Sequence, residues 1–130
     1  MTTQTRLLLR NLLWIDGVAG FSVGVAVLLL QPWLVDWYGL PESVLSFIGT
    51  ANLLYGCYSL SLAVRPTRPL GLIVLLAAAN LAWAPVCVAL IAQWWGEITW
   101  LGLAHVAGEG VFVTVLACLE WRWRRDLAGT

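Results

Sequence analysis

Charge is what this chain has least of. Acids and bases together make up 11% of its 130 residues, against about 25% in an ordinary soluble domain. Lysine is absent, so all seven bases are arginines, balanced by seven acids. A chain with no net charge and no basic field is not built to hold nucleic acid, and no acidic tract offers a solvated tail. Cysteine is also scarce: Cys57, Cys87 and Cys118 fall on three different apolar stretches without C-x-x-C spacing, which excludes a paired-thiol redox carrier. No G-x-x-x-x-G-K-[ST] or G-x-G-x-x-G element occurs, so no nucleotide cofactor is expected. The one histidine, His105, stands four residues before Glu109. That is half of a carboxylate–histidine site, so neither a metal nor another cofactor is expected unless a homodimer doubles the ligand set.

What fills the chain instead is apolar. Residues of the AVILMFWYC set make up 61%, and the mean hydropathy is +0.85. A helix needs roughly 20 such residues to cross a hydrocarbon core about 30 Å thick. Four stretches qualify, at about residues 11–30, 44–64, 70–94 and 98–121. Helices are the form expected, because lipid offers no partner to an open backbone. Pro32 and Pro41, Pro66 and Pro69, and Gly96 punctuate the three connections. Residues 33–40 (WLVDWYGL) are too short to span and read as one or two helical turns in the headgroup region. The expected fold is therefore an all-α integral membrane protein: an antiparallel up-down four-transmembrane-helix bundle over residues 1–130, with a short interfacial segment between its first two spans.

The arginines orient it. Arg6 and Arg10 precede the first span, Arg65 and Arg68 lie in the middle turn, and Arg122, Arg124 and Arg125 follow the last, whereas the two opposite connections carry only Asp36, Glu42 and Glu97. By the positive-inside rule both termini are cytoplasmic, in a multi-pass protein of the plasma or inner membrane. Tryptophans fit the same frame: Trp33, Trp37, Trp94, Trp95 and Trp100 form an outer belt and Trp14, Trp121 and Trp123 an inner one, which leaves Trp83 deep in the bilayer. The first span contains Asp16, and its apolar run is longer than the roughly 7–15 residues of a signal peptide, so it reads as permanent.

An ionisable group inside a span is a functional hypothesis by default. Counting about 1.5 Å per residue from the cytoplasmic end of each span puts Asn52, Asn80 and Glu109 in one layer near the midplane, roughly 16–18 Å in. His105 and Trp83 fall about one turn further out, Asp16 and Tyr58 nearer the cytoplasm, and Tyr55 between the layers. His105 and Glu109 share a helical face, as do Gly49, Asn52 and Gly56, and Asp16, Gly20 and Gly24. Glycines beside polar groups let helices approach until those groups bond across the gap. The expected ligand- or proton-binding set is Glu109, His105, Asn80, Asn52, Asp16, Trp83 and Tyr55. In it Glu109 donates as a neutral acid to Asn52, Asn80 or His105, and His105 passes protons from the outer side.

Each of these residues also has a plainer reading. Asn52 and Asn80 can be interhelical glue worth about 0.6–2 kcal/mol. Asp16 can lock Tyr58, and Trp83 can be packing bulk. Glu120, four residues before Arg124, reads as half of a helical ion pair.

In size and span number the chain resembles the DoxX-like four-span bacterial proteins, a likeness of architecture without a diagnostic motif that implies no function. Small multidrug resistance transporters carry an essential glutamate in the first span, where this chain has Asp16, so membership there is not supported. His105/Glu109 with Asn80/Trp83 is similar in composition to pockets of membrane sterol isomerases, with a different number and order of spans.

Three functions follow from these residues. The first is a pocket for a small-molecule or lipid-like ligand, or for protons, working as a proton-coupled carrier. The second is an accessory subunit whose polar layer only sets helix register. The third is a membrane enzyme using Glu109 and His105 as acid–base groups on a lipid or isoprenoid. The partners expected are the bilayer, such a ligand and a second copy of the chain, and no nucleic acid.

Overall fold

The computed structural model describes residues 2–129. Its order is α1 (Thr3–Tyr38), α2 (Glu42–Ala63), α3 (Leu70–Gln93), α4 (Trp100–Arg122) and a single turn, α5 (Arg124–Ala128). The ends follow capping rules. Thr2 and Thr99 precede α1 and α4, and their hydroxyls accept from the backbone N–H of Thr5 and Gly102, both at 3.2 Å. Pro41 and Pro69 stand just before α2 and α3. Gly39 closes α1 in the left-handed region at φ 65°, and Gly96 turns the chain before α4 at φ 102°.

One expectation fails here. Residues 33–40 form no separate interfacial element, because α1 runs without a break through Pro32 to Tyr38. Proline already holds a helical φ; its cost is the missing N–H that the Leu28 carbonyl would have accepted and the crowding of its ring against that carbonyl. The apolar residues that follow then keep the helix going until Gly39 stops it. At 36 residues, α1 is about 54 Å long, well beyond a hydrocarbon core of about 30 Å.

Three helices, α1, α3 and α4, are long and apolar enough to cross a membrane. The 22-residue α2 is long enough, but Thr50, Asn52, Tyr55, Tyr58, Ser59 and Ser61 dilute it. Large apolar side chains cover the outside, with Leu29, Leu54, Val88, Val111, Trp95 and Trp100 each more than 60% exposed. A soluble surface rarely shows so much.

Glycines set the closest contact. Gly17 lies against Leu60, Gly20 against Gly56, and Gly24 against Gly49 and Leu53, so α1 and α2 pair in opposite directions along one seam. A Cβ on Gly24 would sit 2.6 Å from the backbone nitrogen of Leu53, a distance no side chain tolerates. The Gly20-x-x-x-Gly24 pair is thus spent inside the chain. Helices α3 and α4 form the other hairpin, with Cys87 against Gly110.

The interior divides in two. Val27, Leu34, Leu40, Leu45, Ile48, Trp83, Cys87, Val106 and Val113 pack toward the α1–α2 and α3–α4 connections. Leu12, Leu13, Leu62, Ala63, Ile73, Leu76, Leu116 and Leu127 pack toward the chain ends, where α5 folds over them. Among the described residues, four buried polar ones are set among these apolar side chains, one from each long helix: Asp16, Ser59, Asn80 and Glu120.

Candidate functional site

Glu109, halfway along α4, is the hub of the first polar group. Its Oε1 accepts from Asn52 Nδ2 of α2 and from Trp83 Nε1 of α3, both at 2.6 Å. Its Oε2 meets His105 Nε2 at 3.0 Å, one turn away on the same helix. His105 Nδ1 in turn meets the Tyr38 hydroxyl at 2.8 Å. Four helices therefore contribute to one chain of hydrogen bonds: Tyr38, His105, Glu109, then Asn52 and Trp83.

Donor and acceptor roles follow from the chemistry. Asn52 Nδ2 and Trp83 Nε1 can only donate, so Oε1 carries no proton. Where Oε2 carries none either, Nε2 of His105 must carry the hydrogen they share, and a neutral ring then accepts from Tyr38 at Nδ1. A second hydrogen on the ring would turn that last bond round, with Nδ1 donating to the Tyr38 oxygen. The chain can thus hold or pass a proton with little atomic movement. Trp83 is itself fixed by tilted contacts with Phe47 and Tyr55, at ring centroid distances of 5.5 and 6.0 Å.

Asn80 does not join this group, contrary to expectation. Its Nδ2 donates to Asp16 Oδ2 at 2.9 Å and to Glu120 Oε1 at 2.7 Å. The cause is side-chain direction. Every Cβ leans toward the N-terminus of its own helix, and neighbouring helices here run in opposite senses. Side chains of α1 and α3 lean toward the end holding the chain termini, those of α2 and α4 toward the other. Backbone positions at equal depth, such as Asn80 and Glu109, therefore carry side chains into different layers.

Two plainer expectations fail as well. Tyr58 donates to the Leu72 carbonyl at 2.9 Å and does not lock Asp16. Glu120 is fully buried and is not paired with Arg124, whose guanidinium lies over the Trp121 ring and bonds the Trp121 carbonyl. Tyr55 donates to the Ala79 carbonyl at 2.7 Å.

A cavity of about 260 Å³ lies between these groups. Asp16, Asn52, Tyr55, Asn80, Trp83, His105 and Glu109 all line it, together with Ala19, Gly20, Val23, Gly108, Phe112 and Val113. Gly108 and Phe112 are exposed, and a Cβ on Gly108 would meet nothing within 4 Å. The cavity thus reaches the surface beside α4, facing α1 across the gap. Its walls are mostly apolar, with polar groups at two places: the Glu109 hub, and the Asp16 and Asn80 side chains.

Tyr38, Glu120 and Ser59 were not expected at the site. Tyr38 was hidden by the assumption that α1 ends before Pro32. Glu120 did leave a signal: it follows Glu109 by 11 residues, about three turns, which returns it to the same face. Among the described residues, no cluster of three or more His, Cys, Asp or Glu side chains could hold a metal ion. The cysteines are all unpaired, Cys87 buried and the other two exposed. Comparison with protein-family models, with curated proteins and with solved structures found no match in any of the three.

Proposed function

We propose that this chain is an antiparallel four-span membrane protein with both termini cytoplasmic, whose cavity takes a small or lipid-like molecule and handles protons with it. The observation that carries this reading is the continuous chain from Tyr38 through His105 to Glu109, ending at a cavity open to the side. A carboxylate held by three donors can trade its charge against a proton or a cationic ligand without the helices moving apart. An apolar wall and a lateral mouth suit a molecule that arrives from the bilayer.

Proteoliposomes holding a pH-sensitive dye, placed under an imposed membrane potential, test it. The wild-type protein should pass protons and Glu109→Gln should lose most of that flux. Equal flux in the two, or wild-type flux no greater than that of protein-free vesicles, overturns the reading.

The lateral mouth beside an acid–base pair also favours a second reading, an enzyme acting on a lipid or isoprenoid by proton transfer. It predicts a chemically altered lipid after incubation with total lipid extract, absent with His105→Ala.

A further inference from the structure

The second polar group has features that the cavity alone does not explain. Asp16 and Glu120 come from helices far apart in sequence, yet Asn80 Nδ2 bonds both carboxyl groups at once. Glu120 is 0% and Asp16 4% exposed. Among the described residues the groups that face them are Asn80 of α3, Ser59 of α2 and, one turn earlier on α2, the Tyr55 hydroxyl, and no basic side chain is among them. One amide nitrogen is a poor counterweight to two buried negative charges. Two carboxyl groups sharing so small a space cannot both stay ionised without a cation or a proton between them.

A second, independent observation points the same way. The buried Glu120 Oε2 and Ser59 Oγ have no hydrogen-bond partner among the described residues. Buried polar oxygens are nearly always satisfied, and Ser59, itself 0% exposed, faces Asp16. A hydrogen on the Glu120 carboxyl would turn an orphaned acceptor into a donor. The serine hydroxyl could then turn to complete the set. A dehydrated metal cation would need room and several oxygens around it, whereas the carboxyl groups here close directly on one amide.

We infer that Asp16 and Glu120 share one exchangeable proton, held in register by Asn80 and Ser59, and form a second proton site at the inner end of the cavity. Asp16 lines that cavity and Glu120 lies behind it. A proton released from the pair leaves one additional carboxylate charge and passes to water or ligand in the cavity. Its service as the inner partner of Glu109 rests on the proton-handling function proposed above; the shared proton itself does not.

Infrared difference spectroscopy of the whole protein in lipid tests it, through the carbonyl stretch of a protonated carboxyl group. In a Glu109→Gln background, which removes the other acid of the cavity, that band should be present, shift when glutamate or aspartate is labelled with ¹³C at the side-chain carboxyl, and disappear reversibly as pH is raised. Glu120→Gln should abolish it. If Glu120→Gln fails to fold, the isotope shift in the Glu109→Gln background decides alone. Absence of any such band across the pH range overturns the proposal. So does its loss on adding sodium at fixed pH, which would identify a cation site. Proton flux absent while the band persists would sink the proposed function and leave this pair standing; flux without the band would do the reverse.

Discussion

Asn52 and Trp83, from two different helices, donate to the same oxygen of Glu109 at the same distance, 2.6 Å. That convergence makes one carboxylate the joint between α2, α3 and α4, and it separates shape from charge. In Glu109→Gln the side-chain oxygen can still accept both bonds, so thermal unfolding in detergent should show a loss of about 1 kcal/mol or less. Glu109→Ala leaves the buried Trp83 N–H without its acceptor, at about 1–3 kcal/mol. It also removes the bonds to His105 and to one hydrogen of the part-buried Asn52 amide, whose Nδ2 keeps the Ile48 carbonyl. An alanine variant as stable as wild type would show that the joint holds nothing together.

The single histidine gives a clean view of the relay. Its two ring nitrogens supply one pair of ¹⁵N signals, and in the neutral ring Nε2 should appear protonated and Nδ1 hydrogen-bonded as an acceptor. Tyr38→Phe removes the donor at 2.8 Å, so the Nδ1 signal should move toward that of a free acceptor while Nε2 changes little. An Nδ1 signal unmoved by the substitution would break the chain at its Tyr38 link.

The glycine seam makes a graded prediction. Gly24→Ala drives a methyl group into the backbone of Leu53 and Gly49, with approaches of 2.6 and 2.8 Å, and should cost about 1–3 kcal/mol through overpacking. Gly56→Ala meets the Phe21 backbone and should do the same. Gly71→Ala meets nothing within 4 Å and should be neutral or up to about 1 kcal/mol stabilising, since alanine is the better helix former. Unfolding midpoints of the three variants check the order; equal effects would contradict the seam.

Whether α2 crosses the bilayer is open to direct measurement. In a cysteine-free background, Glu42→Cys and Glu97→Cys should react with a membrane-impermeant maleimide from outside the cell, and Thr67→Cys only after the membrane is opened. Labelling of all three from one side would remove α2 as a span.

Much of this could be read before any coordinates, and the residues show why the rest could not. Apolar runs of helical length announced α2, α3 and α4, because lipid forces the backbone to satisfy itself. The seven residues singled out by depth and helical spacing line one cavity. Their pairing was less accessible. A ruler along the backbone places Cα atoms and ignores the lean of each side chain, so it grouped Asn80 with Glu109 when α3 delivers it to Asp16. Glu120 was masked by an equally reasonable local partner, Arg124. Tyr38 was lost to the habit of ending a helix at proline, a rule about average cost that a long apolar continuation can outweigh.

The far end of α1 is bound to the start of α4. The Thr99 amide donates to the Tyr38 carbonyl at 2.9 Å and its hydroxyl to the Trp37 carbonyl, while Gly39 and Gly102 have no room for a side chain. For the ligand proposed above, this clasp would leave the flank between the two helices as the easier doorway. Occupancy should then follow how strongly a compound dissolves in the membrane, and a water-loving molecule of the same size would stay outside at any bulk concentration.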